Sequence, residues 1–436
     1  MNYNFGEKIR ELRKKHNLTQ EELANKLKIS DKSISKWEMG ISKPTLENLE
    51  IIADIFDITL DELLKNKKEK KEKQIKKIVL TGGPCAGKTT AMNWIQNFFQ
   101  KQGYKVLFIP ETATSVMSSG ITPNEMYSML DFENSIFDIQ LEMERVFEES
   151  ARNMHHDKIL IVCDRGLLDI KAYMSKRDFN YILKSKNLTI PSVMNRYDAV
   201  FHLVTAAKGA KEHYNFDNKT RYETIDEAIK TDDSLMNSWV GHPHLRIIDN
   251  STDFENKMKR LISEISGVLG EPEPYEIERK YLIDMPDISY LESLPNCEKV
   301  EIVQTYLISP NNEEVRVRQR GINGSYTYSK TRKININDIK RIEIETRLSS
   351  DEYISELANA DTSCGQIRKT RYCLSYKNQY FEIDIYPFWN DKAICEIELL
   401  REDQLVELPD FLKVREEITE NKNYKNRNIA SLIKSI

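Results

Sequence analysis

A glycine-rich turn followed by a lysine and a threonine is the first feature of the sequence that suggests chemistry. Residues 78–81 predict a strand, Gly82 and Gly87 follow, and Lys88 and Thr89 precede a helix-like segment at 91–102. The backbone N–H groups of such a turn can surround a phosphate, the lysine adds positive charge, and the threonine hydroxyl can hold Mg²⁺. An ordinary glycine turn before a helix is the alternative. The predicted polyphosphate site consists of Gly82, Gly83, Pro84, Cys85, Ala86, Gly87, Lys88, Thr89 and Thr90.

Three carboxylates follow predicted strands further along the chain. Short apolar runs at 105–109, 158–163, 199–204 and 245–248 alternate with long amphipathic segments, which predicts a mostly parallel sheet with both faces covered. Ligands of such sheets lie at the carboxyl ends of the strands. Glu111, Asp164 and Asp249 stand at these ends. Asp164 has the position of an acid that holds Mg²⁺ during phosphoryl transfer, although a helix cap is the alternative.

Pairs of like charges at a spacing of two residues characterise the C-terminal third. Successive side chains of a strand point to opposite faces, so each pair lies on one face. A solvated sheet face explains any single pair, but whole strands of one sign favour a barrel whose basic strands bind a linear polyanion and whose acidic strands bind divalent cations. The pairs are Glu276 and Glu278, Arg316 and Arg318, Lys330 and Arg332, Glu343 and Glu345, Lys369 and Arg371, Glu382 and Asp384, and Glu396 and Glu398.

The first 64 residues predict a small bundle of about five helices. Thr19 and Glu22 form a capping-box pattern, and Ser30 can cap a second short helix after a tight turn. Two short helices joined in this way have helix-turn-helix geometry, whose second helix can enter the major groove of DNA. Acidic and basic residues nearly balance here, so a large phosphate-neutralising contribution is not expected, and a role in protein contacts alone is the alternative. The polar face of the second helix carries Lys32, Ser33, Ser35 and Lys36.

Length and composition predict three domains in a cytoplasmic protein. The chain has 436 residues, 64 Lys and Arg against 69 Asp and Glu, and 40% hydrophobic residues, so a global basic charge for nucleic acid is excluded. No apolar run is long enough to predict a membrane span or a signal peptide, and the six cysteines lack metal-site spacing. The predicted segments are a helical domain at 1–65, a charged linker at 66–75, an α/β domain at 76–270 and an antiparallel β domain with helices at 274–436.

The N-terminal domain resembles the Cro and lambda-repressor (XRE) helix-turn-helix family. The resemblance is carried by residues 18–24, 33–40 and 43–49 and extends over the length of that family. It implies sequence-specific binding of double-stranded DNA, usually by a homodimer. The residues that it implies for DNA contact are Gln20, Lys32, Ser33, Ser35 and Lys36.

The second domain resembles the NadR-like branch of P-loop kinases over its whole length. The matching segments are 81–90, 109–113, 163–166, 239–245 and 248–251. The resemblance implies that residues 82–90 bind ATP, that Thr89 and Asp164 serve Mg²⁺, and that Glu111 and Arg165 face a small nucleoside-like acceptor. The basic residues Lys208, Lys211 and Arg221 suggest a lid over the phosphates.

The third domain resembles the CYTH superfamily of triphosphate tunnel metalloenzymes. The motifs are 276–280, 304–307, 316–318 and the closing Thr419, Tyr424 and Asn426. The resemblance implies an eight-stranded antiparallel tunnel that hydrolyses a triphosphate-bearing small molecule. It implies that a triphosphate is held by Lys280, Arg316, Arg318, Lys330, Arg332, Lys369 and Arg371, and that Mg²⁺ or Mn²⁺ is held by Glu276, Glu278, Asp384, Glu396 and Glu398.

Two functions remain open from the sequence. In the first, the protein is chiefly an enzyme, a P-loop kinase or ATPase joined to a metal-dependent triphosphatase. Residues expected in catalysis are Lys88, Asp164, Glu276, Glu278 and Lys280. In the second, it is chiefly a transcriptional regulator whose phosphate sites sense nucleotides or polyphosphate without significant turnover. The kinase acceptor, the triphosphate and the operator cannot be predicted.

Overall fold

The computed structural model describes residues 5–60, 63, 73–209, 224–270, 277–310, 313–335, 341–399 and 403–433. Contacts divide the chain into two compact units, Met1–Lys73 and Gln74–Ile436. Most of the predicted linker at 66–75 lies outside the described residues, as do Glu276, Lys211 and Arg221. Among the described residues, no helix combines the length and the apolar character needed to cross a bilayer.

The N-terminal unit is a bundle of short helices. Its described helices are α1 (Phe5–Lys15), α2 (Gln20–Leu27), α3 (Asp31–Glu38) and α4 (Leu46–Ile55). The capping box at α2 is present, because the Glu22 N–H donates to Thr19 Oγ1 at 3.1 Å and the Thr19 N–H donates to Glu22 Oε2 at 2.6 Å. Lys28 then turns the chain with a left-handed φ of 55°. Ile34 and Trp37 of α3 are buried in the core of the bundle.

The second unit begins with a five-stranded parallel sheet of order β2-β3-β1-β4-β5. Its strands are β1 (Gln74–Thr81), β2 (Lys105–Ile109), β3 (Lys158–Asp164), β4 (Ala199–Leu203) and β5 (Leu245–Ile248). Its helices are α5 (Lys88–Lys101), α6 (Thr112–Ser118), α7 (Met129–Asn153), α8 (Lys176–Ser185), α9 (Ile190–Met194), α10 (Ile225–Trp239) and α11 (Phe254–Val268). Val79 packs into one core and Ile78 and Leu80 into another, so both sheet faces are covered and these three successive residues of β1 are apolar.

The same unit continues into an antiparallel sheet of nine described strands, ordered β10-β9-β8-β7-β11-β12-β13-β6-β14. The strands are β6 (Ile277–Asp284), β7 (Cys297–Leu307), β8 (Glu313–Ile322), β9 (Ser325–Asn335), β10 (Arg341–Leu348), β11 (Ile367–Tyr376), β12 (Gln379–Ile385), β13 (Lys392–Leu399) and β14 (Val414–Glu417). Its helices are α12 (Ile288–Ser293), α13 (Ser350–Leu357) and α14 (Asn426–Ile433). The helical, parallel α/β and antiparallel β classes predicted from sequence are confirmed. The expected eight strands are corrected to nine, because the short β14 adds to the free side of β6.

Candidate functional site

The glycine turn lies between β1 and α5, as predicted. Gly82 has a φ of 141°, and a Cβ there would lie 2.1 Å from the Leu203 carbonyl oxygen, so no other residue fits without movement. Gly87 has a φ of 90° and immediately precedes Lys88, the first residue of α5. The turn therefore presents its backbone at the N-terminus of a helix, where an anion is favoured.

Asp232 of α10 accepts hydrogen bonds that hold this turn in place. Its Oδ1 accepts hydrogen bonds from the Gly83 N–H at 2.7 Å and from the Thr205 N–H at 3.2 Å, and its Oδ2 accepts one from Lys208 Nζ at 2.9 Å. Burial alone would raise the pKa of Asp232, but His202 and Lys208 outweigh it and hold that pKa well below the usual range. Asp232 could not be predicted from sequence, because nothing in a helical segment marks one carboxylate as the partner of a distant turn.

Lys88, Asp164, Glu111 and Arg165 meet beside the turn. Lys88 Nζ donates to the Gly82 carbonyl oxygen at 3.3 Å, and burial, followed by the nearby Arg165, lowers the pKa of Lys88 to about 8. Arg165 Nε donates to Glu111 Oε1 at 3.3 Å. The third predicted strand-end acid, Asp249, is instead paired with Arg260, whose Nη1 donates to Asp249 Oδ1 at 2.8 Å.

The carboxylate of Asp164 fits a cation at this site. Its Oδ1 is buried and has no hydrogen-bond partner among the described residues, which is costly unless a ligand satisfies it. Burial raises the pKa of Asp164, and Lys88 opposes that rise. A carboxylate oxygen and a threonine hydroxyl are ligands suited to Mg²⁺, so Asp164 and Thr89 would hold it.

A second charged site lies on the inward face of the antiparallel sheet, and we call it the chamber. Lys280 Nζ donates to Glu396 Oε1 at 2.9 Å. Arg371 donates to both oxygens of Asp384 at 2.7 Å and to Glu396 at 3.2 Å. The chamber brings together the predicted residues Lys280, Arg316, Arg318, Lys369, Arg371, Glu278, Asp384, Glu396 and Glu398.

The basic side of the chamber is crowded with like charges. Arg318 is buried close to Arg316, Arg371 and Arg320, and burial, followed by Arg316, lowers its pKa to about 10. Its Nη2 donates to Gln304 Oε1 at 3.3 Å, while its Nε is buried without a partner among the described residues. Unsatisfied donors and repelling guanidinium groups make this surface suited to a polyanion.

Lys330 and Arg332 do not belong to the chamber, which corrects their predicted place there. They pair in register with Val317 and Val315, whose side chains pack on the opposite face against α13. Lys330 Nζ lies 2.6 Å from Glu356 of α13, and Arg332 Nη2 lies 2.9 Å from Glu313. The inward-facing base of β9 is Lys333, which lies 2.6 Å from Glu343. Gln304 and Glu382, which lie in a predicted motif and a predicted like-charged pair but were given no site role, also contact chamber arginines.

The described carboxylates of the chamber do not form a metal site in this arrangement. No group of three or more acidic, histidine or cysteine side chains within the described residues could hold an ion, and Glu276 falls outside them. Asp384 is held by Lys369 and Arg371, and Glu396 by Lys280 and Arg371. Their oxygens suit Mg²⁺ or Mn²⁺, but these ion pairs occupy them.

In the N-terminal unit, the predicted DNA-contact residues differ in solvent exposure and in hydrogen bonding. Lys32 and Lys36 of α3 are exposed, whereas Ser33 and Ser35 are half-buried. Ser33 Oγ lies 2.9 Å from Ser30 Oγ at the helix cap. Gln20 Nε2 donates to Glu38 Oε2 at 2.8 Å, which fixes the orientation of its amide.

Comparisons with known proteins identify relatives of the helix-turn-helix domain, the α/β domain and the antiparallel β domain. The family model described as helix-turn-helix matches residues 9–63, and the one described as AAA domain matches residues 77–257. The HTH-type transcriptional activator BcrR of Enterococcus faecalis is 47% identical over 64 residues, 15% of this chain and 31% of that protein. The chain spans 54% of each of two further curated regulators from Bacillus subtilis.

The antiparallel domain has relatives of its own length. The inorganic triphosphatase of Nitrosomonas europaea is 30% identical over 158 residues, 36% of this chain and 96% of that protein. A crystal structure of an inorganic triphosphatase is 30% identical, covers 36% of this chain and 95% of the other, and has a TM-score of 0.26. Since the sequence is 30% identical to the Nitrosomonas europaea triphosphatase over 96% of that protein, the C-terminal part of the chain belongs to the CYTH family. It is joined to a helix-turn-helix domain and to an AAA domain with a phosphate-binding loop.

Proposed function

We propose that the chamber hydrolyses a linear triphosphate to diphosphate and phosphate. The observation that carries this proposal is the convergence of Lys280, Arg316, Arg318, Lys369 and Arg371 on one enclosed face. Guanidinium groups can bind phosphate oxygens in pairs, and several fixed positive charges stabilise the charge that develops as the bridging P–O bond breaks. The similarity to an inorganic triphosphatase over nearly its whole length supports the same reaction.

A triphosphate would reorganise the ion pairs of the chamber. Arg371 and Lys369 now neutralise Asp384, and Lys280 neutralises Glu396. Phosphate oxygens compete with these carboxylates for the same donors, which frees the carboxylates. Glu278 and Glu398 lie opposite each other on β6 and β13, so the freed Glu396 joins an acidic strand pair. We expect Mg²⁺ or Mn²⁺ to be required, as the similarity to the triphosphatase implies.

We further propose that the AAA domain binds ATP with Mg²⁺ and phosphorylates a small acceptor. Lys88 would exchange its bond to the Gly82 carbonyl oxygen for the terminal phosphates. Asp164 and Thr89 would hold Mg²⁺, which supplies charge neutralisation when bound. Arg165, oriented by its hydrogen bond to Glu111, would face the acceptor, as the resemblance to P-loop kinases implies.

The N-terminal domain is proposed to bind double-stranded DNA as a homodimer through α3. The exposed lysines of α3 would contact phosphates, and the oriented amide of Gln20 suits a base edge. The matched regulators support this role.

A regulator that senses polyphosphate without turnover is the second candidate. This candidate is favoured by the ion pairs that occupy the chamber carboxylates. Binding of a polyphosphate would rearrange these pairs even without hydrolysis, and such a rearrangement could serve as a signal. The two candidates differ in whether phosphate is released.

Phosphate release from tripolyphosphate, thiamine triphosphate and nucleoside triphosphates, with Mg²⁺ or Mn²⁺, tests the proposal. Arg316→Ala removes an inward charge, whereas Arg332→Ala removes an outward charge close to it and serves as the matched control. We expect Arg316→Ala to lower kcat/KM by about a hundredfold, equivalent to the loss of one strong charged contact, and Arg332→Ala to leave it unchanged. Binding without phosphate release would favour the sensing candidate.

A further inference from the structure

One end of the chamber is covered by a segment of the AAA domain. Residues 241–246, here called the mouth segment, comprise most of the connection between α10 and β5 together with the first two residues of β5. The Gly241 N–H donates to Tyr380 Oη at 3.2 Å, and Arg320 Nη2 donates to the Gly241 carbonyl oxygen at 2.6 Å. His244 Nε2 lies 3.7 Å from Glu345, and Arg246 contacts Glu398.

These contacts reach four strands of the antiparallel sheet. Arg320 lies on β8, Glu345 on β10, Tyr380 on β12 and Glu398 on β13. Arg320 follows Arg316 and Arg318 on the inward face of β8, and Glu398 follows Glu396 on that of β13. The mouth segment therefore spans the opening instead of touching one side of it.

The space left beneath the mouth segment is small. Arg246 shares with Glu278, Glu382, Glu396 and Glu398 a cavity of about 40 Å³. Pockets that enclose a drug-sized molecule have about 300 to 1,000 Å³. Arg246 forms part of the wall of this cavity, so a nucleoside at this end of the chamber would compete with the Arg246 side chain for space.

The opposite end of the chamber is closed by α14. Ile429 and Ala430 pack there in an apolar cluster with Tyr306, Tyr386 and Ile394. The Arg427 guanidinium lies 5.4 Å from the centre of the Tyr306 ring, and Arg427 also pairs with Asp361 at 3.4 Å. Within the described residues β10 and β14 stand at the two ends of the strand order and do not pair with each other.

We propose that Arg246 and His244 of the AAA domain are specificity-determining residues of the chamber, which restrict it to short polyphosphates that carry no nucleoside. This inference rests on the proposed triphosphatase function and names its substrate class. Arg246 is itself oriented by Glu264 at 3.1 Å in its own domain, so its position depends on the fold of the AAA domain.

The test compares kcat/KM for tripolyphosphate and for ATP in the full-length chain. Every protein carries Lys88→Ala, which removes turnover of ATP at the glycine turn. Into this background we introduce His244→Ala with Arg246→Ala, and as a control Arg415→Ala, which breaks an exposed pair with Asp284 and Asp391. We expect the double variant to raise the ratio of ATP to tripolyphosphate turnover by about tenfold or more, as for a pocket that loses a steric restriction.

A ratio that stays within about twofold of the parent in a folded double variant overturns the proposal, since a tenfold change corresponds to only 1.4 kcal/mol. Thermal unfolding identifies folded variants, and His244→Gln alone, which leaves Arg246 paired, provides a milder change with the same expected direction. If the parent binds tripolyphosphate without hydrolysing it, the triphosphatase proposal fails and the same ratio is obtained from dissociation constants. If the parent binds neither ligand, both proposals fail.

Discussion

The Gly83 N–H donates a hydrogen bond of 2.7 Å to Oδ1 of Asp232, which joins the phosphate-binding turn to the middle of α10. A Cβ on Gly83 would lie 2.8 Å from the Asp232 Cβ, so the two segments are in close contact. The same carboxylate holds Lys208 and the loop after β4. The conformation of the turn therefore depends on a residue distant from it in sequence.

Substitution of Asp232 should weaken ATP binding, because Asp232 holds the glycine turn that is proposed to bind the phosphates. Asp232→Ala leaves two buried N–H groups unpaired, at about 1 to 3 kcal/mol each, and we expect ATP affinity to fall at least about tenfold. Asp232→Asn retains an acceptor for Gly83 and should lose less. Titration calorimetry with ATP and Mg²⁺ measures the effect, with Asp233→Ala as the control because Asp233 also pairs with Lys208 but is half exposed. Equal affinity of Asp232→Ala and Asp233→Ala would contradict this account.

The pKa of Lys88 predicts that ATP affinity falls above about pH 8. Burial and Arg165 lower that pKa to about 8, so the lysine loses its charge as the pH rises through this value. The phosphates, whose second pKa is about 6, stay ionised in the same range. Affinity should fall by up to about tenfold per pH unit, and binding at pH 9 should take up a proton. Calorimetry in buffers of different ionisation enthalpy measures that uptake, and Lys88→Arg, which stays charged, should remove it.

The ion pair between Arg371 and Asp384 predicts a large loss of stability when one partner is removed. Asp384 is fully buried, and Arg371→Met leaves it with Lys369 alone. A buried charge that loses its partner destabilises by about 3 to 5 kcal/mol, and the remaining lysine should hold the loss near the lower value. Urea unfolding measures it. Arg415→Met, which breaks an exposed pair, should change stability by less than about 0.5 kcal/mol.

Much of the fold could be predicted because its signals are local. The glycine turn, the strand before it and the helix after it stand within one short stretch, and the capping box of α2 involves Thr19 and Glu22 alone. The alternation of Arg316 and Arg318 with valines predicted which face of β8 is inward, and the strand register agrees with it.

The site predictions were wrong or incomplete in two situations. In one, the charge pattern was compatible with either face of a strand; in the other, a residue's contact was distant in sequence. In β9 the bases Lys330, Arg332 and Lys333 occupy both faces, so their spacing could not decide which face is inward. The side chain of Arg332 is outward because Val315 beside it must pack against α13. The contact between Asp232 and Gly83, and the cover formed by the mouth segment, depend on tertiary packing that periodicity does not encode.

The exposed lysines of α3 predict how DNA binding should respond to salt. Lys36→Ala removes one positive charge that can neutralise a phosphate, so the slope of log affinity against log salt should become less steep by about 0.9. Affinity for all sequences should fall together, because phosphate contacts carry no base information. Fluorescence anisotropy with genomic fragments at several salt concentrations measures both quantities. Lys26→Ala, exposed on a face of α2 other than that of Gln20, is the control. An unchanged slope for Lys36→Ala would place DNA elsewhere on the bundle, and absence of binding by the unaltered chain would favour protein contacts for this domain.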